Sequence, residues 1–288
     1  MNDQQIRQLL LRIKQLPTLP QVVTHLLKLI DNPSSSANQV SKIISQDQSL
    51  ATKVLKLVNS PFYGMPKRIS TLSQATVILG FNTIKNLALT AAIFEQFGDE
   101  NGNAHPDFSR EKFWEHSVAC AVAAKTIAEH IHYEMPEEAF MAGLIHDIGK
   151  VIFDQYLHED FGAALEYAKK HKVPLREGEK HAIGISHTEV GAWLAEKWNL
   201  PGHLNATIEY HHSLQNPLKY AKIVAIVHLA DVVVRLEGYG HSGDTSQPTI
   251  REEIWQVINI DPDRMPELLD EIRIGFDNAK EFLRMVIG

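Results

Sequence analysis

Apolar residues recur at three- and four-residue spacing along almost the whole chain, and no segment of useful length alternates apolar with polar as a half-buried strand does. A chain of amphipathic helices can bury its apolar stripes only by packing helix on helix, so the expected fold class is all-α. Pro and small polar clusters punctuate the pattern. Expected helices are Gln4 to Lys14, Gln21 to Ile30, Ser34 to Ile44, Leu50 to Val58, Thr71 to Leu79 and Asn82 to Phe94. Phe113 to Ile131, Pro136 to Tyr156, Phe161 to His171, Ser186 to Trp198, Gly202 to His212 and Leu218 to Leu236 follow, with short helices near Arg251 to Val257 and Met265 to Met285. Asp47 or Ser49, and Ser34 to Ser36, offer N-caps.

The charge divides the chain in two. Residues 1 to 96 hold ten Lys/Arg against four Asp/Glu, a balance of +6, while the 288-residue chain as a whole is −7. Fourteen of the 15 histidines fall between His105 and His241. Between these parts, Gly98 to Asp107 is polar and Gly-rich and reads as a linker. Two helical lobes are therefore expected, over residues 1–97 and 108–288. The basic residues of the first lobe are scattered, with only Lys67 and Arg68 adjacent, so a nucleic-acid partner is not expected. The most apolar stretch, Ile223 to Val234, is interrupted by His228 and Asp231, so no membrane span is expected. Residues 1 to 16 lack the features of a signal peptide, and the single cysteine, Cys120, fits a reducing compartment, so the expected location is the cytoplasm.

The strongest chemical signal is Gly143-Leu144-Ile145-His146-Asp147-Ile148-Gly149-Lys150, a histidine beside a carboxylate in an otherwise apolar helix. Burying either group alone costs several kcal/mol as an order of magnitude, and a divalent cation satisfies both. Imidazole with carboxylate suits Fe, Mn, Ni or Zn. His116, His187, the pair His211-His212 and Asp231 interrupt apolar patterns on other expected helices. Each alone reads first as an ordinary hydrogen-bonded core or surface group. Cys120, one turn beyond His116, reads as a small buried apolar residue. His228, three residues before Asp231, is a partner to a ligand or a spare ligand.

The order His, His-Asp, His, His-His, Asp over residues 113 to 236 resembles the HD metal-dependent phosphohydrolase superfamily. Its His146-Asp147-Ile148-Gly149-Lys150 is similar to the central motif of the HD-GYP branch. The resemblance implies one or two divalent transition metals. His116, His146, Asp147 and Asp231 would hold the first, and Asp147 would bridge to a second held by His187, His211 and His212. Asp147 and Lys150 would be the catalytic pair, with Lys150 facing a substrate phosphate; an exposed lysine at a helix end is the plain alternative. No Gly-Tyr-Pro follows His212, and Lys112 stands where some relatives place a third-metal Glu, so at most two metals are expected.

Leu16-Pro17-Thr18-Leu19-Pro20, Ile44-Ser45-Gln46-Asp47-Gln48-Ser49-Leu50, Val58-Asn59-Ser60-Pro61-Phe62-Tyr63-Gly64 and Ile69 to Gly80 resemble the signature of the HDOD (HD-related output) domain. That resemblance implies a bacterial signal-transduction protein working through contacts with signalling proteins. A nucleotide or cyclic-dinucleotide phosphohydrolase is the alternative. Asn59-Ser60-Pro61 and Gly64 read as a helix stop and a tight loop, structural in role.

Overall fold

Polar caps set the helix boundaries. Asp47 accepts from the Leu50 amide, Thr71 from Gln74 and Ser109 from Lys112, and each opens a helix. Ser186 and Glu189 form a reciprocal capping box. The computed structural model describes residues 18–29, 37–98, 105–214 and 219–287. The expected helix Gln4 to Lys14, the caps Ser34 to Ser36 and the centre of the 98–107 linker lie outside the described residues.

Among the described residues the chain is all-α, with one isolated bridge, His105 to Phe108, as its only extended pairing. The first part contains α1 (Gln21–Lys28), α2 (Ala37–Ile44), α3 (Gln48–Val58), α4 (Leu72–Leu79) and α5 (Phe81–Phe97). Next come α6 (Arg110–His130), α7 (Pro136–Ile145), α8 (Ile148–Tyr156), α9 (His158–His171) and α10 (Leu175–Ala182). The chain continues with α11 (His187–Lys197), α12 (Gly202–Tyr210), α13 (Ala221–Glu237), α14 (Glu252–Ile258) and α15 (Met265–Ile287). One cluster of buried apolar side chains runs from Leu19 to Phe282.

Two corrections to the expected helices bear on function. The span Pro136 to Tyr156 is not one helix: it breaks at His146-Asp147, where Asp147 leaves helical geometry with φ −103° and ψ 12°. Adjacent residues on a continuous helix point about 100° apart, whereas this turn lets both side chains serve one site. The second correction is α10, unexpected from the sequence, whose role appears at the site.

Helix α6 lies at the centre of the second part, packed by α7, α13 and α15. Its run of small side chains, Ala119 to Ala121 with Ala123 and Ala124, is buried. Gly143 of α7 lies so close to it that a Cβ would stand 2.6 Å from the Cys120 carbonyl oxygen. On the other flank of the turn, a Cβ at Gly149 would fall on the carbonyl oxygen of His187. The two glycines thus press the His146-Asp147 turn against the helices that carry His116 and His187. The loop after α3 is structural, as its sequence implies: the Asn59 amide donates to the Leu55 and Ile69 carbonyls and accepts from the Ile69 amide, and Gly64 is left-handed with φ 58°.

Helix α5 meets the second part through buried charge. Lys85 Nζ lies 2.6 Å from Glu138 Oε1, and His203 Nε2 lies 3.0 Å from Glu138 Oε2. Burial pushes the Glu138 carboxyl up, but hydrogen bonding from His203 and the charge and hydrogen bond of Lys85 outweigh it and hold it below the ordinary 4.5. Removing one member of a buried pair leaves an uncompensated charge. Lys85→Met is therefore expected to cost about 3 kcal/mol in denaturant unfolding, with Lys85→Met/Glu138→Leu recovering most of it. Because the folded pKa of Glu138 is depressed, its contribution is present above pH 4.5 and lost as pH falls through the folded value. Glu138→Gln should flatten that acid limb in unfolding midpoints measured across the pH range.

Candidate metal centre

The turn between α7 and α8 presents His146 and Asp147 to side chains from four other helices. His146 donates from Nδ1 to the Gly143 carbonyl at 2.8 Å, which turns Nε2 inward. There it lies 3.4 Å from Asp147 Oδ2 and 3.9 Å from Asp231 Oδ1. His116, on α6, has Nε2 3.3 Å from Asp231 Oδ1 and 4.0 Å from Asp147 Oδ2. These spacings bracket the roughly 3.4 Å that separates two ligands held at about 2.1 Å by a tetrahedral ion.

A second group surrounds the other oxygen of the same carboxylate. Asp147 Oδ1 lies 3.2 Å from His187 Nε2 and 3.4 Å from His211 Nε2, and His187 Nε2 lies 3.2 Å from His212 Nε2. His187 opens α11, while His211 and His212 follow α12. All seven ligand candidates of the sequence are thus brought together in two groups that share Asp147.

The fit of a metal rests on what these atoms lack. His146 Nε2, His211 Nε2 and Asp147 Oδ1 are buried without a hydrogen-bond partner. Leaving each so costs on the order of 1–3 kcal/mol. They point at one another, and a divalent cation in each group satisfies them together.

The protonation states suit ligation. Burial pushes His116 down against the opposing pull of Asp231, pushes His211 down to about 4, and pushes His212 well below its ordinary value, with neighbouring His211 and His187 adding to the effect. These imidazoles are neutral at pH 7 and offer lone pairs. Burial would raise Asp147 and Asp231, but Lys150 and His146 beside the first and His116 beside the second hold both well below the usual carboxylate range.

Supporting contacts fix the rings. Glu179 Oε2 accepts from both the His187 ring Nδ1, at 2.7 Å, and the His187 amide, at 2.8 Å. His211 donates from Nδ1 toward the Thr207 and Ile208 carbonyls, and His228 donates to the His211 carbonyl at 2.7 Å. Sequence reasoning missed Glu179, on α10. The available signal was the Leu175, Gly178, Glu179, Ala182 spacing, which puts this Glu, unlike Glu177, on the apolar face. Lys150 is not an exposed helix-end lysine: it is 2 % exposed, with Nζ 2.5 Å from Asp147 Oδ2.

A cleft of about 110 Å³ reaches this centre beside Asp231 and is lined by Arg176, His212, His228, Arg235 and Arg251. Its outer wall is the segment after α13, fastened where Arg235 donates to the Ser246 carbonyl at 2.5 Å and the His241 amide to the Lys112 carbonyl at 2.9 Å.

Residues 16–214 match the model of the HDOD domain family. The chain belongs to the HDOD family. A solved HDOD domain protein of unknown function from Geobacter sulfurreducens is 28% identical, with a TM-score of 0.79 over 99% of this chain and 96% of that one. A provisionally named phosphohydrolase from Shewanella amazonensis SB2B shares the fold, at 23% identity and a TM-score of 0.74 over 96% of this chain and 97% of that one. An uncharacterized protein of Treponema pallidum (strain Nichols) is 28% identical over 78% of this chain. This HDOD chain spans 43% of that curated relative's length. No helix among the described residues is long and apolar enough to cross a membrane.

Glu179 holds His187 in register, and partners of this kind typically contribute 10–100-fold to metal affinity. Glu179→Gln is expected to weaken binding of the second metal by about that range in competition with a chromogenic chelator. Unchanged affinity would assign Glu179 to the fold alone.

Proposed function

We propose that this HDOD protein is a metal-dependent regulator whose second half holds two divalent transition-metal ions and receives a phosphate-bearing ligand of the nucleotide or cyclic-dinucleotide class. The observation that carries the reading is the single carboxylate of Asp147 with a separate group of histidines at each oxygen. When bound, the two metals would supply a water ionised near neutral pH and neutralise phosphate charge. His116, His146 and Asp231 would hold one ion and His187, His211 and His212 the other, with Asp147 between the two groups.

The chain's own groups complete the chemistry. Lys150 keeps Asp147 ionised and adds a positive charge beside it. Arg176 and Arg251, at the cleft wall, supply planar donors of the kind that grip phosphate oxygens in pairs. His228 has its Nδ1 committed to the His211 carbonyl, so its neutral Nε2 is an acceptor at the same wall. Asp147 and Lys150 are the residues assigned to catalysis if the bound phosphate ester is cleaved.

A second reading, output through contacts with signalling proteins and without turnover, is favoured by the dimensions of the cleft. Its 110 Å³ admits a phosphate group, whereas pockets that engulf a drug-sized ligand span roughly 300–1,000 Å³. In that reading the metals and the fastened wall set the conformation a partner recognises.

Plasma mass spectrometry on untagged protein prepared without chelator distinguishes these outcomes. Up to two equivalents of Fe, Mn, Ni or Zn per chain are expected in the wild type, with large losses in His146→Ala and Asp147→Ala. Loaded protein is then tested on phosphomonoester and phosphodiester nucleotides. Turnover favours the hydrolase, and loading without turnover favours the regulatory output. A folded wild type that takes up no added Fe, Mn, Ni or Zn sinks both.

A further inference from the structure

One side chain facing the first ligand group is neither histidine nor carboxylate. Cys120 stands one turn beyond His116 on α6, fully buried, with Sγ 3.5 Å from His116 Nε2. Its sulfur and one ligand atom each from His116, His146 and Asp231 all lie within 4.8 Å of one another. Cys120 is buried as its place in the sequence suggests, and it also faces candidate ligand atoms.

Hydrogen bonding alone does not satisfy this group. His116 Nε2 faces both Asp231 Oδ1, at 3.3 Å, and Cys120 Sγ. One ring nitrogen either donates to the carboxylate or accepts from the thiol, not both. His146 Nε2, fully buried and aimed into the same space, has no hydrogen-bond partner. A cation at the centre uses all of these atoms as ligands. A sulfur at about 2.3 Å and a nitrogen at about 2.1 Å from a tetrahedral ion stand about 3.6 Å apart, close to the spacing between Cys120 and His116.

We propose that Cys120 is a thiolate ligand of the first metal, completing a set of two histidines, one cysteine and Asp231, with Asp147 at its edge. The assignment rests on the metal-binding reading above and sharpens it. As the metal–sulfur bond forms, the Sγ–H proton leaves to solvent, with no change of oxidation state. Thiolate and imidazole together favour Zn, Co, Fe or Ni over Mg and Mn. Both groups border the cleft, the first through Asp231 and the second through half-buried His212.

X-ray absorption at the metal edge of the full chain, loaded in turn with zinc and cobalt, reads the bond directly. A sulfur shell at about 2.3 Å is expected in the wild type beside nitrogen and oxygen at about 2.0–2.2 Å. Cobalt-loaded protein should also show a sulfur-to-metal charge-transfer band. Cys120 is the only cysteine in the chain, so both signals should vanish in Cys120→Ala and Cys120→Ser. Cys120→Ser should also lose zinc affinity relative to manganese by about tenfold or more. Wild-type protein that holds metal with nitrogen and oxygen neighbours only would overturn the assignment and leave the metal centre standing. Protein that binds no metal would overturn both. The deciding measurement is on the wild type, so it survives a variant that fails to fold.

Discussion

The buried carboxylate of Asp147 is the group on which the arrangement depends. One oxygen faces His116, His146 and Lys150, and the other faces His187 and His211. A side chain can serve two groups in this way only if two sets of helices approach it from opposite sides. Gly143 allows the first approach, against α6, and Gly149 the second, against the start of α11. The glycines on either side of the His-Asp pair are thus part of the same device as the pair itself.

Concentrating histidines in a dry interior has an electrostatic consequence. Burial keeps His116, His211 and His212 neutral, and the cationic partners keep Asp147 and Asp231 ionised. The protein holds a preformed set of lone pairs with several left unsatisfied. A metal that binds this set and not the unfolded chain adds its binding free energy to stability.

Much of this was legible in the sequence, for identifiable reasons. The helices followed from apolar spacing and, before Leu50, from the cap Asp47, whose side chain accepts from the Leu50 amide. The seven candidate ligands stood out through their order along the chain, which resembles that of the HD superfamily; each alone read as an ordinary hydrogen-bonded core group. The break at His146-Asp147 was hidden because the sequence stays apolar on both sides of it. Glu179 was hidden because a glutamate in a polar stretch looks solvated until the fold buries it. Cys120 was hidden for the opposite reason: buried cysteines usually pack as small apolar groups, and only the distances to His116 and its neighbours say otherwise.

Helix α7 carries Glu138 near one end and delivers the chain into His146 at the other. Glu138 is gripped by Lys85 from helix α5, and Asn86 of that helix donates to the Glu137 carbonyl at 2.9 Å. A few turns of helix therefore join the grip on α5 to the centre's first histidine. Linkage is symmetrical: a molecule that binds the first half and moves this grip by some free energy alters metal affinity by the same factor that metal alters its own binding. For any molecule coupled in this way, metal occupancy and its own occupancy would be two readings of one equilibrium.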